Sequence, residues 1–254
     1  MSGYSEDEFL GGRIKLRQPL KGYRAGVDPV FLAATVPARS GDKVLELGCG
    51  SGVALLCLAA RVAGLNLTGV EREASSAELA RENLVRNDAS GEVFTTDIAA
   101  LPSKLTAKTF DHVIANPPFF DRNAGTSAAN GGREAGRGEE TPLHLWVDAA
   151  LRRTKPKGSV TFIQRAERLP DLLSAFDNRI GDLTALPLAP RKNRAAKLII
   201  LQGRKGAKGP FRLNPALVLH DGDRHLADGE SYTAEAQSIL REGRAFPETA
   251  LSRT

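Results

Sequence analysis

The chain has 254 residues, a formal net charge of +5, 41% hydrophobic residues and two cysteines. That length and apolar content suit one large α/β domain with a sizeable core and exclude wholesale disorder. Apolar runs such as Val53–Ala60 and Leu198–Leu201 are too short to span a bilayer, and Cys49 and Cys57 make neither a disulfide framework nor a metal cluster. The opening residues Met1 to Glu8 are acidic and lack the apolar stretch of a secretory signal. The expectation is a cytoplasmic enzyme with no membrane or metal partner.

Residues 1–40 read as a leader that packs on the core. Lys43–Leu47 reads as a short buried strand that breaks at Gly48-Cys49-Gly50-Ser51-Gly52, and an apolar helix runs from Val53 to about Ala63. A strand at Leu67–Glu71, a helix from Ala74 to about Asn87 and a strand near Val93–Thr96 follow, the last ending at Asp97. The strand Asp111–Ala115 runs directly into Asn116-Pro117-Pro118-Phe119-Phe120. Asp121–Thr141 has no apolar period and reads as a mobile loop. A helix at Leu143–Thr154, a strand at Gly158–Gln164 and a helix at about Leu169–Asn178 come next. The strands Leu183–Leu188 and Lys197–Gly203 form an antiparallel pair, and residues 205–254 read as an appendage with one helical signal at Thr233–Glu242. This alternation predicts an α/β fold: a Rossmann-like, doubly wound, mostly parallel sheet with an antiparallel C-terminal edge hairpin, its core spanning 41–204.

Open α/β sheets bind ligands beyond the carboxyl ends of their strands, where strand order reverses. Glu46, Glu71 and Asp97 sit at or near the ends of three successive strands. The turn between the first strand and its helix reads E-x-G-x-G-x-G rather than the G-x-G-x-x-G of a dinucleotide site. An acid before that turn repels a pyrophosphate but can accept from an ammonium group or balance a sulfonium. Glu71 lies nineteen residues beyond Gly52, placed for two ribose hydroxyls, and Asp97 can accept from an adenine amine.

The run Asn116-Pro117-Pro118-Phe119 forces the chain out of the sheet, because proline cannot continue a central strand. A planar amine is a poor nucleophile because its lone pair is delocalised. The Asn116 side-chain oxygen and the Pro117 carbonyl can each accept one amino hydrogen, which localises that lone pair for in-line attack. Phe119 offers a face for stacking a flipped base. From Leu183 to His220 there is no acidic residue, and the basic residues there include Arg191, Lys192, Arg194, Arg204 and Lys205. Such a stripe attracts a polyanion, so these five are candidate RNA contacts.

At these motifs the sequence resembles the class I S-adenosylmethionine-dependent methyltransferases that carry N-P-P-[YF]. More closely it is similar to the bacterial tRNA1(Val) (adenine-37-N6)-methyltransferase family, through Phe9–Arg13 and Gln18–Ala34 in the leader and Leu201–Gly206, Leu217–His220 and Tyr232-Thr233 in the tail. The resemblance implies S-adenosylmethionine as cofactor and an adenine amine of tRNA as acceptor. It implies that Glu46, Gly48, Cys49, Gly50, Glu71 and Asp97 bind the cofactor, with Tyr23 and Asp28 packing near its methionine end. Asn116, Pro117, Pro118 and Phe119 then hold the target amine. The motif ends in Phe119 where others have Tyr, which keeps stacking and removes a hydroxyl. The competing readings are a glutamine-amide methyltransferase of a protein such as a release factor, a ribosomal RNA guanine-N2 methyltransferase and a non-enzymatic RNA-binding relative. The first usually carries a separate N-terminal helical domain, and here only residues up to Asp42 precede the first predicted strand. The last should have lost Asn116 or Glu71, and both are present.

Overall fold

The computed structural model describes residues 3–20, 22–118, 120–121, 138–139, 141–222 and 231–246. The chain opens with an antiparallel hairpin, β1 (Tyr4–Phe9) and β2 (Ile14–Pro19), and a short helix α1 (Asp28–Ala34). The alternating core follows: β3 (Lys43–Leu47), α2 (Val53–Arg61), β4 (Asn66–Glu71), α3 (Ala74–Arg86), β5 (Gly91–Thr95), α4 (Ser103–Thr106) and β6 (Phe110–Ala115). Two short strands, β7 (Phe120–Asp121) and β8 (Gly138–Glu139), pair in parallel. Beyond them come α5 (Leu143–Arg153), β9 (Thr154–Arg165), α6 (Leu169–Ala175), β10 (Ile180–Arg191), β11 (Leu198–Lys205), β12 (Arg212–Leu213), β13 (Leu217–His220) and α7 (Ala234–Glu242).

Nine strands form one sheet in the order β12-β10-β11-β9-β6-β3-β4-β5, with β13 also paired to β10. The neighbours β5, β4, β3, β6 and β9 are parallel, and β11 runs antiparallel between β9 and β10. The doubly wound sheet and its antiparallel hairpin are therefore as expected. The chain adds β12 and β13 in parallel beyond that hairpin, so the tail after residue 204 extends the sheet, and α7 packs on α1. The leader holds the hairpin and a helix, neither of which was anticipated. The loop predicted over 121–141 lies outside the described residues except for Asp121, Gly138, Glu139 and Thr141.

Strands covered on both faces are apolar throughout, and the central strands follow that rule. On β3, Val44 faces a layer that includes Phe31, Leu55, Leu58 and Leu84, while Leu45 and Leu47 face the layer of Trp146, Val147 and Leu151. Each such side chain contributes about 1.5–3 kcal/mol by leaving water. The strand order reverses on either side of β3, where β4 and β5 lie to one side and β6 and β9 to the other. The register sets Leu47 beside Ala115, so the glycine turn after β3 and the proline turn after β6 open into the same crevice.

Candidate active site

That crevice is a cavity of about 460 Å³. Gly48, Gly50, Glu71, Asp97, Asn116, Pro117, Pro118 and Tyr23 line it, so residues separated by nearly a hundred positions meet at one site. Gly48 and Gly50 adopt φ of +69° and +52°, which favours glycine. A Cβ on Gly48 would also lie 2.6 Å from the Trp146 ring, so the turn can settle against α5 only with no side chain there. Trp146 joins the lining, and its Nε1–H donates to the Thr141 carbonyl at 3.2 Å.

Glu71 ends β4 with both oxygens aimed at backbone amides: it accepts from Gly50 N–H at 2.8 Å and from Glu73 N–H at 2.8 Å. It thereby fastens the glycine turn, and each oxygen keeps a second lone pair for a ligand hydroxyl. Asp97 caps the turn that follows it, accepting from Ala99 N–H at 2.8 Å, and lies 3.8 Å from the Arg72 guanidinium. Arg72, Ser75, Ser76, Thr96 and Ile98 complete that end of the cavity.

Three expected cofactor residues stand outside the lining. Glu46 is 3% exposed and lies beneath the turn in the layer facing α2. Its carboxyl accepts from the Leu55 amide in the first turn of that helix, and burial pushes its pKa well up. Alternation along β3 explains the placement, since Glu46 shares a face with Val44. The acid there braces the start of α2. Cys49 is buried, its thiol raised well above the usual range by burial and the nearby Glu46 and Glu71, and its N–H donates to Val70 O at 2.9 Å. Asp28 opens α1, where a carboxylate suits the positive end of the helix.

At the other end of the cavity, Asn116 Nδ2 donates to the Tyr23 hydroxyl at 3.2 Å. Its Oδ1 is buried and has no hydrogen-bond partner. Tyr23 is held by its neighbours: Ala25 N–H donates to Gln18 Oε1 at 2.7 Å, and Arg24 pairs with Asp7 at 2.8 Å. Gln164, which the sequence reading passed over, donates from its side-chain amide to the Pro117 and Pro118 carbonyls. Phe119 lies outside the described residues.

The basic residues do not form one stripe. Arg191 ends β10 and Lys192 and Arg194 sit in the turn to β11, at the crevice end of the sheet, because Leu198 pairs with Arg165 at the end of β9. Arg204 and Lys205 lie at the far end, where Arg204 pairs with Ser159. Lys205 Nζ donates to the Leu151 and Thr154 carbonyls at 2.6 and 2.7 Å, closing the end of α5, and Arg191 binds the Asp221 and Gly222 carbonyls. Those two cations are engaged within the fold.

Residues 26–131 match the methyltransferase small domain family. Fold and crevice together define a class I S-adenosylmethionine-dependent methyltransferase, and the cavity fits that cofactor: its glycine turn admits close approach, and its two strand-end acids stand over it. A tRNA1(Val) (adenine(37)-N6)-methyltransferase of Actinobacillus succinogenes is 31% identical over 164 residues, covering 63% of this chain and 68% of that relative. The chain belongs to this methyltransferase family. Its namesake from Dickeya chrysanthemi is 26% identical over 229 residues, 86% of this chain and 87% of the relative. Among solved structures, a predicted O-methyltransferase of Agrobacterium tumefaciens shares the fold with a TM-score of 0.69, 23% identity, and coverage of 89% of this chain and 99% of its own. The Thermus thermophilus 16S rRNA N2 G1207 methyltransferase, in complex with AdoMet and guanosine, shares it with a TM-score of 0.53, 19% identity, and coverage of 80% and 50%.

Proposed function

We propose that the protein methylates the exocyclic N6 amine of an adenine in tRNA, in the cytoplasm, with Asn116 and the Pro117 carbonyl orienting the amine. The observation that carries this reading is the buried, unpartnered Oδ1 of Asn116, whose Nδ2 is already committed to Tyr23. A buried acceptor without a donor is costly, so it is kept where a substrate supplies the donor. The relatives named as tRNA adenine methyltransferases supply the acceptor class.

S-adenosylmethionine supplies a methyl group on a positively charged sulfur, which departs as a neutral thioether. When it is bound, Glu71 would hold its ribose hydroxyls, Asp97 would accept from its adenine amine, and the backbone at Gly48 and Gly50 beside Tyr23 would hold its methionine end. Asn116 Oδ1 accepts one hydrogen of the target amine and the Pro117 carbonyl accepts the other. These two acceptors would localise the nitrogen lone pair and fix its direction. No strong base is needed, because the nitrogen becomes acidic once it carries the methyl group and its proton passes to solvent. Lys192 and Arg194, exposed at the crevice end of the sheet, face the RNA backbone.

The test is methyl transfer from labelled S-adenosylmethionine to RNA from cells lacking this gene, followed by digestion to nucleosides. Label in N6-methyladenosine of the tRNA fraction is expected; label in N2-methylguanosine, or in protein alone, overturns the assignment of acceptor. Asn116→Ala should lower kcat by about 10²–10³-fold while leaving cofactor affinity near wild type, since the interaction is made mainly in the transition state. Unchanged kcat would remove Asn116 from its role.

A further inference from the structure

Gln164 is wholly buried on β9, at the point where the parallel ladder with β6 stops. The last pair in that ladder is Ala115 with Phe162, so Asn116–Pro118 leave the sheet alongside Ile163 and Gln164. Its side-chain nitrogen donates to Pro117 O at 3.4 Å and to Pro118 O at 3.4 Å, while its side-chain oxygen accepts from Arg165 N–H at 2.8 Å. That last bond fixes the sense of the amide, because an N–H needs the oxygen end and leaves the NH2 end facing the prolines. Both donated contacts are long, as suits one amide group shared between two acceptors. Gln164 is not among the residues lining the cavity, and its hydrogen bonds to the described residues of the reacting turn go to these two carbonyls.

We infer that Gln164 is a positioning residue for methyl transfer, holding the Pro117 carbonyl in the direction from which it accepts a hydrogen of the target amine. The inference rests on the roles proposed above for Asn116 and Pro117. Where the ladder ends, the two proline carbonyls lose the backbone donors of the neighbouring strand, and the Gln164 amide replaces them. One lone pair of Pro117 O is engaged by Gln164 and the second remains for the substrate. Without the amide, the carbonyl is free to rotate toward other donors, and the amine loses one of its two anchors.

Gln164→Leu keeps the volume and removes the donors. It should lower kcat by about 100-fold, the scale of a small misplacement at a reacting centre, with the Kd for S-adenosylmethionine within about threefold of wild type. Gln164→Glu gives a readout that a space-filling role would not move. Its buried carboxyl titrates above the ordinary value of about 4.3, donating to the carbonyls when protonated and repelling them when ionised. The ratio of its kcat to that of wild type should therefore rise as pH falls from about 8 to about 6, across the range a raised carboxyl pKa can reach. Wild-type kcat in Gln164→Leu, or a pH-independent ratio in Gln164→Glu, overturns the inference. Asn116→Ala in the same assay separates the two levels. If it is impaired while Gln164→Leu is not, only the role of Gln164 falls; if it turns over like wild type, the reading beneath it falls. Should Gln164→Leu not fold, the pH profile of Gln164→Glu decides alone.

Discussion

Glu46 places a carboxyl group between β3 and α2 with the Leu55 amide as its donor and its Oε2 without a partner. Burial holds it protonated in the folded chain well above the pH at which it ionises when unfolded. Above about pH 4.3 the unfolded state has released a proton that the folded state keeps, so this residue lowers stability progressively as pH rises, until the folded group itself ionises. Glu46→Gln keeps an acceptor for Leu55 and removes the titration. Thermal melts should place the variant at or above wild type near neutral pH, with the difference shrinking toward acid pH. A variant that melts well below wild type at every pH would mean that the ionised carboxylate is required. The same residue marks the limit of what the sequence discloses at this scale. The glycine spacing and Glu71 are legible because they sit at the turn itself. Glu46 is expected at the ligand, and strict alternation with Val44, Leu45 and Leu47 carries the further information that places it behind the turn. Gln164 gives no signal of its own, since a lone glutamine in a strand has no motif around it.

The docking of β2 onto α3 shows how an element can be held by side-chain amides in place of a ladder. Asn83 accepts from Arg17 N–H at 2.8 Å and donates to Arg17 O at 2.9 Å and Ser51 O at 3.0 Å. Asn87, one turn on, repeats the pattern with Lys15 at 3.1 and 2.9 Å. The pair acts as a strand edge, and through Ser51 it ties the leader to the glycine turn. Asn83→Ala strands buried donors and acceptors at once and should cost about 3 kcal/mol in a urea titration, against about 1 kcal/mol for Asn87→Ala at the more exposed position. Because Asn83 reaches the turn and Asn87 does not, only the former should also weaken cofactor binding; equal effects would break the link. At this scale the helices with long apolar periods and the buried strands of the core are read from sequence close to their true limits. The β1–β2 hairpin escapes although Ile14, Leu16 and Gln18 alternate inward between charged neighbours, and α1 escapes although Asp28-Pro29 is a helix-start signature. Both are short, and their stability comes from contacts distant in sequence.

Across the whole molecule, the basic run from Arg191 to Lys205 is continuous only along the chain. The antiparallel hairpin carries its two halves to opposite ends of β11, roughly 25 Å apart at about 3.3 Å per residue. Lys192 and Arg194 are exposed at the crevice end, and RNA bound there should feel them. Lys192→Glu and Arg194→Glu should each weaken RNA binding and reduce the slope of log affinity against log salt by about 1, whereas Arg204→Glu should leave the slope near wild type. Equal losses at both ends would argue for an RNA that wraps the sheet. The grip of Asn83 and Asn87 has a consequence at this scale too. On β2 both amides bind main-chain atoms, so this part of the fastening is indifferent to which side chains the hairpin carries. Outward residues of the leader that make no ion pair with α3, unlike Glu6 and Arg17, are thus free to diverge between relatives, and a hairpin transplanted from one relative to another should seat on the same two asparagines.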